Sequence, residues 1–82
     1  MNNIKVKERV ANCFLNVFPN IRPNEIAGAS ATSLAEWDSV AHVTLLSSIS
    51  EEFGLDFEVE DFEELVSYQL IVECLEKKIP DA

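Results

Sequence analysis

Between Pro23 and Glu76 the chain has no lysine and no arginine, although thirteen of those 54 residues are carboxylates. A surface of that sign repels phosphate backbones and anionic lipid, which argues against nucleic acid and membranes as partners and favours basic protein surfaces. Glycine occurs only twice and proline three times, too seldom for a low-complexity or linker-like chain. Cysteine is scarce as well: Cys13 and Cys74 lie far apart and form no Cys-x-x-Cys pair, and His42 is the single histidine. A zinc set is therefore missing, no metal site is expected, and both thiols read as buried and free. No apolar run approaches the ~18 residues of a membrane span, and the opening MNNIKVKERV lacks the apolar core of a signal peptide. The expected setting is a reducing cytoplasm.

What the chain does have is enough apolar material to fold. Hydrophobic residues make up 48% of its 82 positions, above the level at which chains stay disordered. A chain of this length buries only roughly 60–65% of its unfolded surface, too little for a deep substrate cleft in addition to a core. An autonomous enzyme is not expected. The net charge of −9 is unevenly spread, with Lys5, Lys7, Arg9 and Arg22 set against Glu8 alone in the first 22 residues.

Apolar periodicity predicts four helices. In the first, Ile4 to Phe18, the positions Ile4, Val6, Val10, Cys13, Phe14, Val17 and Phe18 recur at intervals of three and four, and Pro19 ends it. A long loop follows, pinned by Ile21, Ile26, Leu34 and Trp37 among turn formers. Asp38 is a good N-cap whose carboxylate can reach the amide of Val40 or Ala41, placing Ser39 at the first position of a second helix that runs to about Phe53. Its predicted core stripe is Val43, Leu46, Ile49 and Phe53 with Leu45 flanking, and Gly54 suits the left-handed turn that closes a helix. Leu55 and Phe57 read as a short extended connection, Glu60 to Leu65 as a brief acidic helix, and Ser67 as the cap of a last helix. That last helix is expected to bury Leu70, Ile71, Cys74 and Leu75, with Lys77 and Lys78 complementing its carboxyl end. Phe14, Leu46, Ile49, Phe53, Leu65 and Leu75 are expected to share one core.

The segment Glu36-Trp37-Asp38-Ser39-Val40-Ala41-His42-Val43, followed by Ser50-Glu51-Glu52-Phe53-Gly54-Leu55, resembles the acyl carrier protein family of phosphopantetheine-binding domains. The likeness covers nearly the whole chain, so residues 1–82 are expected to form a single carrier domain. It implies an all-α four-helix bundle of the acyl-carrier-protein type, with a long loop between the first two helices and a short third helix. It also implies that Ser39, flanked by Asp38 and Val40, is esterified with 4′-phosphopantetheine from coenzyme A by a dedicated transferase. The arm's thiol would then carry acyl or related intermediates as thioesters. The implied partners are a phosphopantetheinyl transferase, an acyl- or aminoacyl-loading enzyme and downstream transferases, met by a monomer. Val40 stands where the family usually has leucine, a change tolerated if it packs under the attachment point. The second helix is nearly neutral through Ala41, Thr44, Ser47, Ser48 and Ser50, whereas the family usually carries acids there, which argues against service to a generic fatty-acid synthase; the Trp37-Asp38-Ser39 wording resembles discrete carriers of specialised pathways.

Other readings are weaker. Ser39 and His42 lie one turn apart, but a triad also needs an imidazole between nucleophile and carboxylate and an oxyanion hole, and no Gly-x-Ser-x-Gly elbow is present. His42 reads as a polar residue at the edge of the core, with contact to the arm's phosphate as the alternative. Trp37 anchors the loop or lines the mouth through which cargo enters. In GLDFEVEDFEE, Phe57, Val59 and Phe62 interrupt the ligand order of a calcium loop. A carrier-like interaction module that never receives the arm is the competing function.

Overall fold

A computed structural model describes residues 3–79, with side chains from residue 5 onward, so the expected inward position of Ile4 lies outside the described side chains. The fold is small and all-α: α1 (Asn3–Val17), α2 (Pro23–Ile26), α3 (Ser39–Phe53), α4 (Val59–Glu64) and α5 (Tyr68–Lys78). No strand occurs among the described residues. Ser30 and Ser67 form an isolated antiparallel bridge that ties the long loop to the start of α5. No described helix is long and apolar enough to cross a membrane.

Local chemistry sets the helix ends. The Asp38 carboxylate accepts from the Ala41 amide at 2.9 Å, and α3 begins at Ser39 as its cap predicts. Gly54 closes the helix at φ 64°, a conformation that glycine adopts without the steric cost a Cβ brings. Ser67 Oγ accepts from the Leu70 amide at 3.1 Å and starts α5. The acidic turn is shifted by one residue, to Val59–Glu64. The loop between α1 and α3 contains the four-residue α2, which the sequence pattern does not reveal. Of its expected anchors Ile21, Ile26 and Trp37 are buried, Leu34 is half-buried, and Ala29 joins them.

The core is one cluster built around Phe14, whose ring lies 5.4 Å from Trp37, 5.6 Å from Tyr68 and 5.9 Å from Phe18 between centroids. Two faces differ from the sequence expectation. On α3 the buried residues are Leu45, Leu46 and Ile49, while Val43 is 52% exposed and Phe53 only half-buried. The helix is turned by roughly half of the ~100° that separates successive residues. The cause is α1, which covers the Leu45 side: Cys13 lies beside Ser48, and Arg9 clamps Glu52. On α5 the buried face is Tyr68, Ile71, Val72 and Leu75, whereas Leu70 is 41% exposed and Cys74 half-buried. Tyr68 leads this face because its ring packs on Phe14 and its hydroxyl donates to the Lys7 carbonyl at 3.3 Å.

The Arg9 clamp joins three contacts. Its Nε pairs with the Glu52 carboxylate at 2.7 Å, a terminal nitrogen donates to the Glu52 carbonyl at 2.5 Å, and the guanidinium lies 4.3 Å above the Phe53 ring. The pair is exposed, so screening limits its value. Arg9→Ala is expected to lower stability by about 1 kcal/mol. Arg9→Lys should recover little of that loss in a denaturant titration, because an ammonium lacks the planar fork.

Candidate functional site

Ser39 occupies the first turn of α3, exposed to solvent. Its hydroxyl has no hydrogen-bond partner among the described residues, and the same holds for the amides of Ser39 and Val40. Those amides belong to the first turn of the helix, where backbone donors have no intrahelical acceptor. Asp38 is engaged by the Ala41 amide through its side chain and by the His42 amide through its carbonyl, the latter at 2.8 Å. This arrangement leaves a free hydroxyl beside two free donors at the positive end of a helix, an environment that favours a covalently attached anion.

The remaining serines are placed differently. Ser30 and Ser33 hydrogen-bond to each other, Ser50 donates to the Leu55 carbonyl, and Ser67 caps α5. Ser47 and Ser48 lie in the third turn of α3. None of them combines exposure, a free hydroxyl and a helix start.

Ser39 lies on the rim of a depression of about 340 Å³ lined by Ala31, Trp37, Asp38, His42, Phe62 and Val66. Ser39 and His42 share it because residues three apart lie on one helix face. Trp37 fits both descriptions offered by the sequence: it is 4% exposed within the core cluster, and it lines this depression. His42 is half-buried, as a residue at the edge of the core should be, but it also has two specific partners. Its Nδ1 accepts the Trp37 indole N–H at 2.9 Å, and its Nε2 pairs with the Phe62 carbonyl at 2.5 Å. Both ring nitrogens are thus engaged away from Ser39 Oγ.

Val40 does not pack beneath Ser39. It is 75% exposed, on the opposite side of the helix from the buried Ile49, because α1 and the core take up the other face. With Val43, Thr44 and Ser47 it forms a weakly polar outer strip, bounded by Glu36 and Asp38 at one end and Glu51 at the other. Asp61 is not a free surface acid: it accepts from the Glu58 amide at 2.8 Å and lies 3.8 Å from the Lys78 ammonium. The thiols are quiet: burial pushes both Cys13 and Cys74 up from the ordinary thiol range, so each stays protonated at neutral pH.

The His42 bridge is the feature that sequence reasoning missed. A signal exists, since a buried indole N–H needs an acceptor and His42 lies five residues away. Its second partner is twenty residues distant, and nothing local indicates it. Comparison of the chain with family models, curated proteins and solved structures finds no match.

Proposed function

We propose that this protein is an acyl carrier: Ser39 holds a 4′-phosphopantetheine arm on which acyl or related intermediates travel as thioesters. The observation that carries this reading is the free, exposed Ser39 hydroxyl at the capped start of α3, beside a depression that Ala31, Trp37, Phe62 and Val66 line in part. The succession of a long helix, a pinned loop, Asp38-Ser39, a second long helix, a short acidic helix and a last helix supports a four-helix bundle of the acyl-carrier-protein type, with α2 as one turn within the loop. Agreement of capping, order and site gives more support than the Asp-Ser dipeptide alone.

The residues fit such a group. Ser39 Oγ would attack the phosphorus of coenzyme A that bears the pantetheine, forming the Ser–O–P bond as the adenosine bisphosphate half leaves. The serine proton would pass to a base of the transferase. The Ser39 and Val40 amides would face the phosphodiester, and the Asp38 carboxylate is turned toward Ala41, which limits its repulsion. When bound, the arm supplies a terminal thiol for the acyl group. The protein itself needs no catalytic base in this role, and it is proposed to act as a discrete monomeric carrier served by a transferase, a loading enzyme and downstream acyltransferases. Incubation with coenzyme A and a broad-specificity phosphopantetheinyl transferase should raise the intact mass by one arm. An unchanged mass with a transferase that loads a control carrier would favour an unmodified interaction module.

Docking should combine the weakly polar strip on α3 with acids around it. Exposed charges chiefly set encounter rates and are screened beyond about 8–10 Å. Glu60 and Glu63 are exposed, whereas reversing Asp61 would also break the start of α4. Glu60→Lys with Glu63→Lys is therefore expected to slow association with the transferase at low salt, with the defect shrinking as salt rises. Val43→Asp should instead speed dissociation at every salt concentration. On-rates that ignore the double reversal at low salt would remove α4 from the docking surface.

A further inference from the structure

Helix α4 is poorly secured by burial. None of its six residues is buried, and Val59 is 76% exposed. Helices this short do not persist through their own hydrogen bonds, and elements with few buried contacts open readily. Two polar side-chain contacts tie α4 to other helices: Asp61 lies 3.8 Å from the Lys78 ammonium of α5, and the Phe62 carbonyl meets a side chain of α3. Phe62 lies in the last turn, where its carbonyl finds no intrahelical donor, and His42 Nε2 supplies one at 2.5 Å. The indole N–H of Trp37 can only donate and the Phe62 carbonyl can only accept, so His42 between them is the neutral tautomer with its proton on Nε2. The Phe62 ring meets the imidazole edge-on at 6.2 Å.

Phe62 also borders two depressions. One holds Ser39 and measures about 340 Å³. The other, about 420 Å³, lies toward Leu46, Ser50 and Phe57. We propose that His42 is a positioning residue that latches α4 to α3 and so fixes Phe62 as the wall between these spaces. Release of the latch joins them into one trough beside Ser39, whose apolar parts are Trp37, Val66, Leu46 and Phe57 and whose far edge carries Glu51 and Asp56. The occupant of that trough, an acyl group carried from Ser39, rests on the carrier reading; the latch does not. Its position one turn beyond Ser39 makes the size of the accessible space depend on a contact remote from the outer strip.

Two substitutions separate the two bonds of the imidazole. In His42→Asn the short amide reaches the place of Nδ1 and can still accept from Trp37, but it does not reach Phe62. In His42→Gln the longer amide reaches the place of Nε2 and can donate to the Phe62 carbonyl. Hydrogen exchange on the unmodified chain should show the Phe62 and Leu65 amides opening about threefold to tenfold faster in His42→Asn, the effect of one lost hydrogen bond. His42→Gln should stay near wild type, and the amides of α1 and α5 should be unchanged in both. Nile red, a neutral apolar probe, should bind more strongly to His42→Asn than to either of the others. Equal behaviour of the two variants, or faster exchange spread evenly over all helices, would overturn the latch. The wild-type protein gives a check independent of any variant: its imidazole nitrogen shifts should report the Nε2–H tautomer, and an Nδ1–H tautomer would also overturn it. Because no arm is needed, a failed latch leaves the mass gain at Ser39 intact, and a failed mass gain leaves the latch readable.

Discussion

Phe14→Ala is expected to cost about 3–5 kcal/mol, the range for removing a fully buried phenyl ring and leaving part of its volume empty. Phe14 has no exposed surface and contacts the rings of Phe18, Trp37 and Tyr68, so one truncation loosens α1, the long loop and the start of α5 together. A domain of this size has about 4–12 kcal/mol of stability in all, so the variant should be partly unfolded at room temperature or have a sharply lowered denaturation midpoint. Phe53→Ala makes the comparison informative. Phe53 ends α3 half-buried beneath Arg9, and its loss should cost only about 1–2 kcal/mol. Equal losses for the two would mean that the core is not centred on Phe14.

Ser39→Ala is expected to do the reverse, leaving the fold intact while abolishing modification completely. The side chain is exposed and its hydroxyl is bonded to no described residue, so the stability change should fall within about 0.5 kcal/mol. Asp38→Ala should be a mixed case. Loss of its bond to Ala41 frays the start of α3 at a cost of about 1 kcal/mol, and the transferase should then meet Ser39 in a less ordered turn and load it more slowly. Circular dichroism separates these effects from unfolding. A Ser39→Ala chain that still gained an arm would move the site elsewhere.

The sequence was most informative where structure depends on neighbours in the chain. Asp38 before Ser39, Gly54 after Phe53 and Ser67 before Tyr68 are capping choices whose partners lie within five residues, and each helix end follows from them. It was less informative about which way α3 and α5 face. Val43 and Leu70 lie on plausible apolar stripes, yet both are exposed because packing against α1 turned the faces toward Leu45 and toward Tyr68 with Val72. Arg9 with Glu52 is a pairing 43 residues apart, and Lys7 with Tyr68 spans 61. Periodicity carries no record of such distances. The site divides in the same way: the place of Ser39 follows from its cap, whereas the depression beside it needs Phe62 and Val66 to arrive from α4 and the turn after it.

The central claim is that Ser39 carries the arm, and the most direct test is to locate the modification. After treatment with coenzyme A and a broad-specificity phosphopantetheinyl transferase, the protein is digested and the peptides are fragmented in a mass spectrometer. The account predicts one phosphopantetheine per chain, on Ser39, and none on any other serine. A chain that gains no arm under conditions that load a control carrier, or that bears it on another residue, would contradict it.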